Sequence, residues 1–125
     1  MQELLKKIRE KHPFIEIEAY ESSNKIEIMK IRIPMERQNL GIGSDVVKII
    51  QDYAKSVNKP VVVRPAPEKR HKKDLERFYK RLGFVHNKGR NMDYALSSPT
   101  AKTMYWKSDE KNLNFKEWLI NKILK

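Results

Sequence analysis

Arg37-Gln38-Asn39-Leu40-Gly41-Ile42-Gly43-Ser44 joins a β-branched run ending in Ile31 and Ile33 to an amphipathic segment that opens at Gly43. Glycines at alternate positions let the backbone approach a bound group closely. The first N–H groups of a helix lack intrahelical partners, so the stretch reads as an anion cradle able to take a pyrophosphate. A glycine turn used only for packing is the alternative. No Lys-Ser/Thr follows the second glycine, which excludes a Walker loop, and Gly-Ile-Gly-Ser-Asp lacks the third glycine of a dinucleotide fingerprint.

Downstream of the loop, Val46, Val47, Ile49, Ile50, Tyr53 and Ala54 recur at helical spacing, which predicts a helix from Gly43 to Val57 stopped by Asn58-Lys59-Pro60. Val61-Val62-Val63 reads as a buried parallel strand, so strand, helix and strand form a right-handed crossover. Pro65 and Pro67 end it. A helix over about Lys72 to Leu82 presents Leu75, Phe78, Tyr79 and Leu82 on one side, with Gly83 as its left-handed C-terminal residue, and Phe84-Val85-His86 resumes extended structure. Residues 87–101 read as a polar, variable loop. Lys102 to Lys107 reads as the last strand, and Asn114 to Leu124 as a terminal helix with Asn114 and Glu117 in a capping box. The stripe of Phe115, Trp118, Leu119 and Ile123 packs either on the chain's own sheet or in a dimer, so monomer and homodimer both stand.

Upstream, Leu4, Leu5 and Ile8 mark a short helix from Gln2 to Lys11, ended by His12-Pro13. Phe14 to Glu21 alternates apolar with polar, and Ser22-Ser23-Asn24 turns the chain into Lys25 to Ile33, an antiparallel hairpin. Along that second strand the apolar phase shifts from Ile26 and Ile28 to Met29, Ile31 and Ile33. The strand is therefore buried on both faces or carries a β-bulge between the two phases.

At 125 residues the chain buries one core, so a single domain is expected, with residues 1–12 as an N-terminal helix, 14–107 as the core and 114–124 as a C-terminal helix. No apolar run approaches the ~18 residues of a membrane span, and the N-terminus lacks signal-peptide features, so a cytoplasmic location is expected. Cysteine is absent, which excludes disulfides, thiolate metal sites and a cysteine nucleophile, and no metal is implied. The net charge of +11 is concentrated in residues 64–90, where Arg64, Lys69, Arg70, Lys72, Lys73, Arg77, Lys80, Arg81, Lys88 and Arg90 face only Glu68, Asp74 and Glu76. That is either a solvated lysine-rich surface or a footprint for RNA or an acidic protein.

The spacing Gln-x-x-Gly-x-Gly after an apolar strand carrying a glutamate, followed about forty residues later by Phe78-Tyr79-Lys80-Arg81-Leu82-Gly83-Phe84, resembles the GCN5-related N-acetyltransferases (GNATs) over residues 14 to 107. The resemblance implies an α/β (α+β) fold: a mixed, mostly antiparallel central sheet, splayed near the loop, with a βαβ cofactor unit flanked by helices. It implies acetyl-CoA as cofactor, bound by Gln38, Asn39, Leu40, Gly41, Ile42, Gly43 and Ser44, by backbone groups of Ile31, Arg32 and Ile33, and by Lys72. Glu27, eleven residues before Gln38, matches the catalytic base of the histone-modifying branch, with a solvent-facing strand glutamate as the competing reading and Glu21 and His86 as further candidates. Tyr79 matches the tyrosine that points at the cofactor sulfur, against a plain core tyrosine. Three positions depart from the pattern: Gln38 replaces a common arginine, Asn39 a frequent glycine, and Lys72 a frequent asparagine. The short region before the loop implies an open acceptor site. The expected activity is direct acetyl transfer to a primary amine on a protein lysine or aminoacyl-tRNA; a basic RNA- or protein-binding module without turnover is the alternative.

Overall fold

In the computed structural model, which describes residues 1–38, 40–65, 72–98 and 102–108, helix α1 (Gln2–Lys11) leads into strand β1 (Glu16–Glu21) and strand β2 (Ile26–Arg32). Helix α2 (Ile42–Val57), strand β3 (Val61–Val63), helix α3 (Lys72–Arg81), strand β4 (Val85–His86) and strand β5 (Met104–Trp106) follow. The sheet order is β1-β2-β3-β5-β4, with β2 and β3 parallel and the other neighbouring pairs antiparallel. This is the mixed, mostly antiparallel sheet with a β2-α2-β3 unit that the sequence predicts. The expected helix over 114–124 lies outside the described residues.

Alternation in the strands sorts residues to two faces. Ile17 and Ala19 of β1, Ile26 and Ile28 of β2, Val61 and Val63 of β3 and Met104 of β5 form one core with Leu5 and Ile8 of α1, Val46, Val47, Ile50 and Ala54 of α2, and Tyr79. The three α-helices among the described residues therefore pack on the same face. The opposite face carries Tyr20, Glu27, Val62 and Tyr105 in one cross-strand row.

The phase shift in β2 is a bulge. Glu18 pairs with Lys30 but Ala19 pairs with Ile28, so Met29 is an extra residue on β2. Inserting one residue moves the inward phase from Ile26 and Ile28 to Ile31, which is half-buried, while Met29 is exposed. The bulge coincides with a second break: β3 pairs with β2 only from Ile26 to Ile28. From Met29 onward, β2 has no partner on its β3 side among the described residues, and the sheet opens there.

α1 and β3 have the expected bounds, and the other described element ends differ from expectation by at most two residues. α2 starts at Ile42 rather than Gly43, because Gly41 takes the left-handed conformation (φ 76°) and serves as its N-cap. α2 ends on Asn58, also left-handed, and α3 is followed by Gly83 at φ 94°. Residues 87–98 contain two 3₁₀ turns, Gly89–Asn91 and Tyr94–Leu96, where the sequence predicts only loop.

Candidate active site

The loop between β2 and α2 is folded by its own groups. Pro34 starts a 3₁₀ turn over Met35–Arg37, the Gln38 side chain donates to the Ile33 carbonyl at 3.1 Å, and the Arg37 guanidinium stacks 3.9 Å above the Phe14 ring. Asn39 lies outside the described residues. At the N-terminus of α2 the first helical bond runs from Asp45 N–H to the Gly41 carbonyl, so the N–H groups of Ile42, Gly43 and Ser44 have no intrahelical acceptor, and among the described residues no side chain caps them. These amides and the helix dipole favour an anion at this end.

The two glycines serve different needs. A Cβ on Gly41 would meet nothing within 4 Å among the described residues, but its φ of 76° is one that L side chains rarely adopt. A Cβ on Gly43 would lie 3.3 Å from both Ile33 Cδ1 and Phe78 Cζ, so this glycine lets α3 and β2 close against α2. Gly43 thus meets a packing need, and Gly41 a conformational one.

An acidic residue in the first turn would oppose a bound phosphate. Asp45 occupies that turn, yet its carboxylate is paired with Lys11 Nζ at 3.0 Å and His12 Nε2 at 2.7 Å, and these partners hold its pKa below the ordinary aspartate value. The C-terminal end of α1 therefore neutralises the one carboxylate in the first turn of α2.

Glu27 lies on the face opposite the helices, one residue before the β2–β3 pairing ends. Its side chain is 18 % exposed and Oε1 is 2.8 Å from Arg64 Nη2, so it is not the freely solvated strand glutamate of the competing reading. Arg64 follows β3 directly and shares the face of Val62, Glu27's register partner. Sequence reasoning missed this role for Arg64, because only the parallel register aligns the two.

Tyr79 lies on the other face. Its ring is 7 % exposed, packs edge-on against Phe78 and Phe84 at 5.1 and 5.2 Å between centroids, and belongs to the core. Desolvation pushes its pKa up to about 12. Phe78, its neighbour, contacts the cradle through Gly43, a role the helix pattern does not distinguish from ordinary core packing. Lys72 is the first residue of α3.

The further candidates lie apart from this gap. Glu21 is opposite Ile26 at the far end of the hairpin, about 20 Å along the strand from Arg32. There it accepts hydrogen bonds from Tyr53 and, at 2.6 Å, from Lys59. His86 is on β4, the edge strand beyond β3 and β5, 3.6 Å from Glu76. A cavity of about 490 Å³ lined by Ala19, Tyr20, Glu21 and Lys59 also belongs to that far end, whereas a pocket of about 90 Å³ lined by His12, Phe14, Ile33, Pro34, Arg37 and Ile42 borders the loop.

A sheet of this order, parted beside a glycine-opened helix, defines the GNAT acetyltransferase fold, and the chain has that fold. It is similar to the anti-CRISPR protein AcrVA5 (22 % identity over 76 % of this chain and 92 % of that one, TM-score 0.56). It is likewise similar to Ard1 from Thermoplasma volcanium (19 % identity, 86 % and 79 %, TM-score 0.52). Naa50 from Arabidopsis thaliana, solved with the bisubstrate analogue CoA-Ac-MVNAL, matches at 20 % identity over 75 % of this chain and 62 % of its own, with a TM-score of 0.52. No family model and no curated protein matches the sequence. Among the described residues no helix is long and apolar enough to cross a membrane.

Proposed function

We propose that the protein is an acetyl-CoA-dependent N-acetyltransferase acting by direct attack in a ternary complex, with a macromolecular primary amine, on a protein lysine or aminoacyl-tRNA, as acceptor. The observation that supports this reading is the parting of β2 from β3 at Met29, with Glu27 just before it on one face of the sheet and Tyr79 in the core on the other face. An amine presented on the Glu27 face and a leaving sulfur on the Tyr79 face would meet there. The net charge of +11 favours acceptors borne on polyanions or acidic surfaces.

The cradle suits the cofactor: the amides of Ile42, Gly43 and Ser44, which lack intrahelical acceptors, and the space over Gly41, open among the described residues, suit a pyrophosphate, with Gln38, Asn39 and Leu40 as the rest of the loop sequence. Lys72, at the start of α3, adds a phosphate partner. Backbone groups of Ile31, Arg32 and Ile33, beyond the end of the β2–β3 pairing, serve the pantetheine arm and the acyl oxygen. When bound, acetyl-CoA supplies an activated acyl thioester. A lysine amine with a reference pKa of ~10.4 is protonated at neutral pH and cannot attack until a base takes its proton. Glu27 is that base, and Arg64 is a positioning residue that fixes its carboxylate. Tyr79 serves the departing sulfur.

Thermal unfolding with acetyl-CoA, against dephospho-CoA and ATP as controls, tests the cofactor assignment. Selective stabilisation by acetyl-CoA of about 2.7 kcal/mol is expected at a hundred times Kd. No shift at saturating ligand would leave a basic binding module that keeps the fold without turnover. For the base, Glu27→Gln should slow transfer most below the acceptor amine's pKa, and a pH–rate profile identical to wild type would remove Glu27 from the role.

A further inference from the structure

Residues 87–98 form a structured connection between β4 and β5. The Asn87 side chain donates to the Asp93 carbonyl at 2.9 Å and accepts from the Asp93 N–H at 2.7 Å. The Asp93 carboxylate accepts from the Ala95 N–H and pairs with Lys107 at 2.9 Å, the Tyr105 hydroxyl donates to the Asn91 carbonyl, and Leu96 is buried. A polar loop fixed by this many bonds presents its outward side chains without having to be ordered by a partner.

Those side chains are Lys88, Arg90 and Tyr94, the last 83 % exposed. Lys80 at the end of α3 and Lys102 ahead of β5 are exposed and flank the loop: Lys102 precedes Thr103, which is hydrogen-bonded to Asn87, and Lys80 lies one helical turn after Glu76, which is 3.6 Å from His86 beside Lys88. Among the described residues none of these cations has an acidic partner: Glu76 lies against His86 and Asp93 is taken by Lys107. The group is separate from the cofactor cradle. The C-terminal end of α3 is tied to α2 at Gln51, whose Nε2 donates to the Leu82 carbonyl at 2.8 Å, about 12 Å along the helix from Gly43.

We propose that the 87–98 loop, with Lys80 and Lys102, is a docking surface for single-stranded nucleic acid, its cations meeting successive phosphates and the Tyr94 ring stacking on a base. Charge alone would suit an acidic protein equally well. The tyrosine decides between them: an almost fully exposed ring within a basic loop matches the stacking platforms that hold unpaired bases. The surface needs no acyl transfer, so it stands or falls apart from the enzymatic reading.

Fluorescence anisotropy with a labelled 20-nucleotide oligouridine and the full chain tests it. Affinity should fall steeply with salt, and the slope of log affinity against log salt should shrink by about 0.7 for each phosphate that loses its cation in Lys80→Gln/Lys88→Gln/Lys102→Gln. Tyr94→Ala should weaken binding about fivefold or more. Binding that survives both variants, competition by polyglutamate as strong as by unlabelled oligouridine, or loss of binding on saturation with CoA would each overturn the proposal. The first two point to diffuse charge or an acidic protein, and the third to the cofactor site. Should the triple variant fail to fold, Tyr94→Ala, at an exposed position, is read alone.

Discussion

Tyr79 shows how one environment limits a residue's chemistry. Its phenol is held in the core between Phe78 and Phe84, and desolvation raises its pKa to about 12. A thiol of ~8.5 is the stronger acid, so complete proton transfer from Tyr79 to a departing thiolate would run uphill. A protonated phenol can still donate a hydrogen bond to sulfur as negative charge develops there, and a bond to a charged acceptor is worth about 1.5–3 kcal/mol. Tyr79→Phe keeps the ring contacts and removes only that donor. It should lower turnover about ten- to hundredfold, with acetyl-CoA affinity and melting temperature nearly unchanged. Steady-state kinetics beside a thermal melt separate the outcomes, since an unchanged rate would leave Tyr79 as a core residue alone.

At the scale of elements, β2 is the piece on which both fold and site turn. Met29 shifts the inward phase by one residue, so that Ile31 and Ile33 remain half-buried on the helix side after the sheet has opened. Deleting Met29 would slip the strand beyond it and turn both isoleucines to the opposite face. A loss of about 1–3 kcal/mol is expected, read as a lowered urea midpoint, together with a loss of stabilisation by acetyl-CoA; an unchanged midpoint would show that the bulge does not set the register. The bulge was legible as one of two readings because β2 alternates, and an interrupted alternation leaves a trace in the residue order. α1 and α2 were legible for the same reason at helical period. The β2–β3 register was not, because Val61-Val62-Val63 has no alternation to align, and with it went the meeting of Arg64 with Glu27. The 87–98 network was equally hidden: it rests on the Asn87 side chain bonding backbone six residues away, an interaction that leaves no pattern. Helical spacing located Tyr79 on the apolar side of α3 without giving the depth of its burial.

Across the whole molecule, a strongly basic chain is held together by a few carboxylates that each tie separate elements. Asp45 joins the end of α1 to the start of α2 through Lys11 and His12, and Glu21 joins β1 to the far end of α2 through Lys59 and Tyr53. Hydrogen bonds from these partners, His12 first for Asp45 and Lys59 first for Glu21, lower both carboxyl pKa values. A folded pKa below the unfolded one means that the unfolded chain binds the extra proton as pH falls, so this stabilisation is present above about pH 4 and disappears below it. His86 acts in the same direction at higher pH. Burial lowers its pKa, so below about pH 6.5 the unfolded chain takes up that proton first and stability starts to decline. Losing carboxylate charge also increases the positive excess that already stands at +11, adding self-repulsion. The melting temperature should therefore fall gently from pH 7 to 5 and steeply below about pH 4. Glu21→Gln should lower it at pH 7 and flatten the acid limb, because the glutamine has no proton to gain. Parallel curves for variant and wild type down to pH 3 would show that the Glu21 contacts do not govern the acid transition.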